Sequence, residues 1–289
     1  MFLVLAYRTM RLFIKIMPFD FIVFLARFLS KFGYWFSPLK RKNVLHNLSI
    51  VYPDKDVKPM AKEVFANFGQ YFVELFSPIE VRERLFHNTR FEGFDELLTS
   101  YKKGKGIISI TAHVGNWELA AFVTAKRGIR VNGVFFTHPN PGLDNFFMQQ
   151  RKVENLEVIS WKADATRKCL ESLKRGYLLA IAADIDYADT GIEVELFGHE
   201  TKIPRGPLVL SRRTGAPVIP GRYLRTKKGG VLTFENTIDP KGLSEEELAQ
   251  KIAKALEKMI RDAGTQWICF EKIWEEAVNI KDRCKCDGI

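Results

Sequence analysis

The segment Thr111-Ala112-His113-Val114-Gly115-Asn116-Trp117-Glu118 places a histidine five residues before a carboxylate. Ile107 to Ile110 has the apolar, β-branched character of a short buried strand, and Leu119 to Thr124 reads as the start of a helix. His113 then stands at the C-terminal end of the strand and Glu118 in the first helical turn. A carboxylate so placed fixes the tautomer of an imidazole and stabilises its protonated form, which is what a general base requires. Asn116 is positioned to cap the helix, leaving Glu118 near its positive end. The bland alternative is a histidine and a capping glutamate with no partnership.

Elements that could position this pair follow from the pattern around it. From about residue 89, apolar runs of strand length alternate with helical segments. Strands are predicted at 106–111, 131–137, 177–183, 192–197, 216–223 and 231–236, and helices at 116–127, 143–153, 164–175 and 205–214. That alternation predicts an α/β fold with a mixed, mostly parallel sheet flanked by helices. Residues 39–88 read as helical, with breaks near Pro53, Pro59 and Pro78. Ser244-Glu245-Glu246-Glu247 is a capping box that should open a helix over 245–262, stopped by Gly264. A short aromatic tail helix is expected from Trp267 to Trp274. In open α/β sheets, ligands bind beyond the carboxyl ends of the strands. His113, the pair His138 and Asn140, and the pair Asp184 and Asp186 each follow a predicted strand, so three polar clusters fall at one edge.

Charge adds a second constraint. The 289 residues carry a net charge of +10. Residues 1–42 hold eight cations against Asp20 alone, and the rest of the chain is nearly balanced. The cations are interleaved with Phe2, Phe13, Phe19, Phe21, Phe24 and Phe28. That composition suits an anionic membrane surface more than nucleic acid, for which no recognition motif is present. Within residues 1–36, Met1–Tyr7 and Phe21–Ala26 are the longest uncharged runs, well short of the ~20 residues that span a bilayer. Two interfacial amphipathic segments are therefore expected, at about 2–16 and 19–36. A cleaved signal peptide is not expected, because charges interrupt the apolar stretch and no small-residue cleavage site follows. The chain divides into membrane-associating helices at 1–38 and an α/β domain at 39–289. Cys169, Cys269, Cys284 and Cys286 lack zinc-site spacing and read as reduced structural cysteines. Lys103-Gly104-Lys105-Gly106 lacks the spacing of a phosphate-binding P-loop, and no G-x-S-x-G nucleophile elbow occurs. Lys202 and Arg205 precede a predicted helix, where cations suit a phosphate; ordinary surface charge is the equal alternative.

His113-Val114-Gly115-Asn116-Trp117-Glu118 resembles the H-x4-D/E signature of the glycerolipid acyltransferases and, more narrowly, of the late (lauroyl/myristoyl) acyltransferases of lipid A biosynthesis. Further blocks resemble that family in order: His138-Pro139-Asn140-Pro141-Gly142-Leu143-Asp144 with Arg151, Ala182-Ala183-Asp184-Ile185-Asp186-Tyr187, and Thr214-Gly215-Ala216-Pro217-Val218-Ile219-Pro220. The likeness covers roughly residues 40–275. It implies transfer of a fatty acyl group from acyl carrier protein or coenzyme A to a hydroxyl of a phosphorylated lipid acceptor. It further implies no cofactor beyond that thioester, no metal, and a place at the cytoplasmic face of a bacterial inner membrane. His113 would be the base, oriented by Glu118. Arg151 would clamp an acceptor phosphate, support the oxyanion or hold the carrier's phosphopantetheine. Asp184 and Asp186 would position the acceptor or serve structure, and Asn116 would cap its helix or donate to the acyl carbonyl. Where the family closes with a Trp-containing basic segment, this chain has Trp267 and Trp274 with Glu271, Glu275 and Glu276 among them. Another glycolipid or lysophospholipid acceptor, and a non-catalytic lipid-binding role, are the competing readings.

Overall fold

Ile107–Thr111 is buried at every position but the last, the pattern of a strand covered on both faces. In the computed structural model, which describes residues 12–135, 140–151, 153–161 and 163–274, this strand is β2, near the middle of a seven-stranded sheet. The other strands are β1 (Thr89–Glu92), β3 (Val131–Phe135), β4 (Leu156–Ser160), β5 (Leu178–Ala182), β8 (Val218–Thr226) and β9 (Gly229–Phe234), in the order β1-β9-β8-β2-β5-β3-β4. β8, β2, β5, β3 and β4 run parallel. β9 turns back antiparallel to β8 and carries β1 parallel to itself. The sheet is thus mixed and mostly parallel, as expected. The run predicted at 192–197 does not join it. β6 (Ile192–Leu196) pairs antiparallel with β7 (His199–Ile203) in a separate hairpin, because Phe197-Gly198 turns the chain with both residues at positive φ.

Ahead of the sheet's own layers lie α1 (Phe19–Phe36), α2 (Pro38–Val51) and α3 (Val57–Phe76). Pro59 does not break α3. It lies in the first turn, where a backbone N–H has no intrahelical acceptor to lose. α4 (Ile79–His87) and α5 (Phe94–Tyr101) lead into the sheet. α6 (Trp117–Lys126) and α7 (Pro141–Arg151) follow β2 and β3, while α8 (Ala165–Lys174), α9 (Gly206–Thr214) and α10 (Glu245–Ala263) complete the layers. The capping box of α10 forms as expected: Glu247 N donates to Ser244 Oγ at 3.1 Å, and Ser244 N to Glu247 Oε2 at 2.8 Å. The predicted tail helix is absent. After a 3-10 turn at Gly264–Gln266 the chain runs extended, with Trp267 bridged to Val114 and Ile268 N donating to the carbonyl of His113.

One core cluster joins Ile108, Ile110 and Leu179 of the sheet to α8, α9 and α10. A second, on the opposite face, joins Ile107, Val131 and Leu178 to Leu119 and Phe122 of α6. α1 docks on α3 through Arg27, which donates to Asn67 Oδ1 at 2.6 Å and pairs with Glu63 at 3.1 Å. Its other side is an exposed stripe of Phe21, Phe24, Phe28, Phe32 and Trp35 at helical spacing. No helix among the described residues is long and apolar enough to cross a membrane.

Candidate active site

β2 ends at Thr111, and the chain must turn sharply to enter α6. Gly115 makes that turn at φ +57, a conformation that costs an L residue energy. It is also the only residue type that fits, since a Cβ there would lie 1.8 Å from the carbonyl oxygen of Tyr223. Asn116 then caps α6, its Oδ1 accepting from Leu119 N at 2.8 Å. The turn leaves His113 just past the strand end.

Its ring partner is not Glu118. β5 lies beside β2 with Thr111 opposite Ala182, so the residue two beyond β5 arrives next to His113. Asp184 grips it twice: His113 Nδ1 lies 2.7 Å from Oδ1, and His113 N donates to Oδ2 at 3.0 Å. Trp267 Nε1 donates to the same Oδ2 at 2.9 Å, from the extended tail. The Asp184 side chain is 0% exposed and that of His113 is 18% exposed, so only the histidine is within reach of a ligand. Burial pushes the His113 imidazole downward, but the charge and hydrogen bond of Asp184 outweigh it and leave the group above its usual 6.5. For Asp184, burial works upward; the pairing with His113 and the donation from Trp267 prevail and hold it below 3.8. A carboxylate that accepts the Nδ1 proton fixes the tautomer and leaves Nε2 as the basic nitrogen.

Glu118 has a different partner. Lying beyond the cap, it points across α6 toward the end of α7, where Arg151 Nε donates to its Oε2 at 2.8 Å and Arg151 Nη2 to its Oε1. Tyr71 Oη approaches the same carboxylate at 3.5 Å. The Arg151 guanidinium lies 4.0 Å over the ring of Phe135. Tyr71 in turn stacks on Trp117 at 4.3 Å, and Trp117 meets the His113 ring edge-on at 4.9 Å. Glu118 therefore braces the wall beside the histidine. Burial and the adjacent Glu118 charge push the Tyr71 phenol well above 10.

The remaining expected site residues divide. Asn116 is committed at both ends, because its Oδ1 caps α6 and its Nδ2 donates to the buried Glu74 at 2.6 Å, and the side chain is buried away from the cavity lining. Asp186 lines the cavity, but its Oδ2 accepts from Gly191 N at 2.6 Å and closes the 186–191 loop. Arg205 sits on the cavity wall with Nε bonded to Glu245 at 2.6 Å. Lys202 pairs with Asp189 on the exposed hairpin and does not line the cavity. His138 lies outside the described residues. Trp267 was read only as part of the closing segment, and Tyr71 and Glu74 carried no signal in the sequence, since each reaches the site from a distant element.

His113 opens onto a cavity of about 520 Å³, whose wall includes Trp117, Ala121, Phe135, Ala180, Cys169 and Leu210. A basic imidazole at the end of a long apolar space can deprotonate a hydroxyl next to a bound hydrocarbon.

The chain is similar to known proteins. The profile of the family described as "Bacterial lipid A biosynthesis acyltransferase" matches residues 1–276. A phosphatidylinositol mannoside acyltransferase of Mycobacterium tuberculosis strain H37Rv is 23% identical over 244 residues, covering 81% of this chain and 76% of that protein. Its namesake in Mycolicibacterium smegmatis is 24% identical over 173 residues, covering 58% and 57%. Among solved structures, the 1-acyl-sn-glycerophosphate acyltransferase PlsC from Thermotoga maritima aligns with 83% of this chain and 97% of its own, at 16% identity and a TM-score of 0.42.

Proposed function

Because the chain belongs to the bacterial lipid A biosynthesis acyltransferase family, and is thereby an O-acyltransferase, we propose that it moves a fatty acyl group from a thioester carrier to a hydroxyl of a lipid A precursor. The observation that carries this reading is His113, held by Asp184, at the mouth of the apolar cavity. His113 Nε2 removes the proton of the acceptor hydroxyl as its oxygen attacks the thioester carbonyl. The tetrahedral intermediate collapses, the C–S bond breaks, and the imidazolium returns its proton to the departing thiolate. Asp184 stabilises the imidazolium throughout. No acyl-enzyme is needed.

Acyl carrier protein or coenzyme A would supply the acyl group. Arg151, spread over Phe135 and paired with Glu118, would act as a brace for the cavity wall. The exposed stripe of α1 and the basic N-terminal charge support docking on an anionic membrane surface, at the cytoplasmic face of an inner membrane. In that division, residues 1–38 dock and 39–289 carry the chemistry. A second reading keeps the reaction and changes the acceptor to a glycolipid. It is favoured by relatives named for phosphatidylinositol mannoside and by Glu271 where the lipid A enzymes are basic.

The test is expression in a strain lacking its own late acyltransferases, followed by lipid mass spectrometry, with His113→Ala and Asp184→Asn as controls. Acylated lipid A precursor formed by the wild type alone is expected. An added acyl group found only on another glycolipid would replace the acceptor. Full transfer by His113→Ala would remove the proposed base.

A further inference from the structure

The pairing register leaves the sheet open at one place. β2 and β5 stay paired as far as Thr111 and Ala182, and β3 and β4 as far as Phe135 and Ser160. β3 and β5 pair only over Val131–Gly133 and Leu178–Ala180. Beyond that point the two strands part. The cavity occupies the split, with Gly133, Val134 and Phe135 on one side and Ala180, Ile181 and Ala182 on the other. Small residues stand at its base: a Cβ on Gly133 would lie 2.3 Å from the Phe135 ring. Passing through the sheet, the cavity reaches both helical layers. Ala121 belongs to the core on one face, and Cys169 and Leu210 to the core on the other.

Depth on the far side follows from helix direction. α8 connects the parallel strands β4 and β5, so it runs back from the carboxyl edge toward the amino edge. Ala165 and Thr166 lie at that carboxyl edge, and Cys169 is about 6 Å deeper, four residues on at 1.5 Å each. The next inward residue, Leu173, is 0% exposed and does not line the cavity. α9 likewise runs inward from Arg205 and Gly206, bringing Leu210 to the wall, and packs against α8. Both Cys169 and Leu210 are only 4% exposed. Burial raises the Cys169 thiol to about 11, so it stays uncharged in an apolar setting.

We propose that Cys169 and Leu210 form the floor of the acyl chamber and set the length of the acyl chain this enzyme accepts. The inference rests on the proposed reaction with a thioester donor. A chain entering beside His113 threads the gap between β3 and β5 and ends on these two side chains. Filling the floor must exclude the longest chains, and enlarging it must admit longer ones.

The experiment is a competition among saturated acyl-coenzyme A esters of graded length, repeated with acyl-carrier proteins, using the purified full chain and a total bacterial lipid extract. Products are read by mass spectrometry. For Cys169→Leu the ratio of long to short product should fall about tenfold per two carbons excluded, the transfer preference of two methylenes. Cys169→Ala and Leu210→Ala should shift the ratio the other way, and they decide the matter if the larger side chain prevents folding. Profiles that coincide with wild type in all three variants overturn the inference. A wild type that consumes no thioester from either carrier overturns the proposed reaction, and the inference with it. That failure is visible before any variant is made.

Discussion

Replacing Asp184 by Asn tests the central claim, because it keeps the shape of the side chain and removes the charge. The carboxylate accepts from His113 N, from Trp267 Nε1 and, through Oδ1, from the His113 ring. An amide keeps one acceptor oxygen. Facing Nδ1 with its NH2 group, it favours the tautomer with the proton on Nε2, which silences the base. A hydrogen bond to a charged partner is worth about 1.5–3 kcal/mol, or roughly 10–150-fold in rate at ~1.4 kcal/mol per decade. Tautomer inversion deepens this, and the corresponding change in a Ser-His-Asp triad costs about 10⁴. A fall of about 10³–10⁴ in kcat/KM is expected, measured by thioester consumption. Wild-type activity should rise with pH along a limb set above 6.5, the direction in which Asp184 moves His113. In the variant that limb should move down, because only burial remains. Stability follows the same pair. The raised His113 contributes fully below 6.5 and loses its contribution as pH rises through its folded value. The depressed Asp184 contributes above 3.8 and loses its contribution as pH falls through its folded value. The dyad therefore stabilises the fold most between these limits, and denaturant titrations of the variant should lack that maximum. Asp184→Asn with activity within threefold of wild type and an unmoved acidic limb would falsify the dyad.

Glu118→Ala leaves the Arg151 guanidinium buried without its carboxylate, and should cost about 3–5 kcal/mol in chemical denaturation; unchanged stability would show that the pair does not brace the wall. Gly115→Ala drives a methyl into the Tyr223 carbonyl at left-handed φ, and should lower the melting temperature and kcat together. A variant as active as wild type would mean the turn tolerates displacement. Trp267→Phe removes one donor to Asp184 and should reduce kcat/KM about tenfold while preserving KM for the acceptor. A loss confined to KM would place Trp267 in binding instead. Serine at Phe24, Phe28 and Trp35 should release the protein from anionic vesicles in sedimentation, and high salt should weaken the wild type's hold; undiminished pelleting of the triple variant would remove α1 from the docking role.

The central strands and their helices were legible because apolar runs such as Ile107–Ile110, buried at every position, and Leu178–Ala182 admit no other role. Thr89–Glu92 was not, since alternate residues face solvent on a four-residue edge strand, leaving no apolar run to read. The tail misled because Trp267, Phe270 and Trp274 have helical spacing, whereas hydrogen bonds from Gly115 and Ile268 draw the chain out alongside the His113 turn. His113 was found from its own neighbours. Its partner was not, because sequence proximity favoured Glu118 while strand register delivered Asp184. The three polar clusters at one sheet edge already held that information; choosing among them required knowing that β5 lies next to β2.

The bond from Trp267 to Asp184 bears on how the protein is made as well as on how it acts. Chains emerge from the ribosome N-terminal end first and begin to fold in that order. The apolar stripe of α1 is therefore exposed while most of the α/β domain is still unmade. The dyad's last hydrogen bond, by contrast, waits for a residue more than 80 positions beyond Asp184. Under the docking proposed above, a nascent chain settles on a membrane long before it can touch the chemistry there. On that proposal, assembly order gives this acyltransferase a delay between arrival and activity, set by the length of chain between α1 and Trp267.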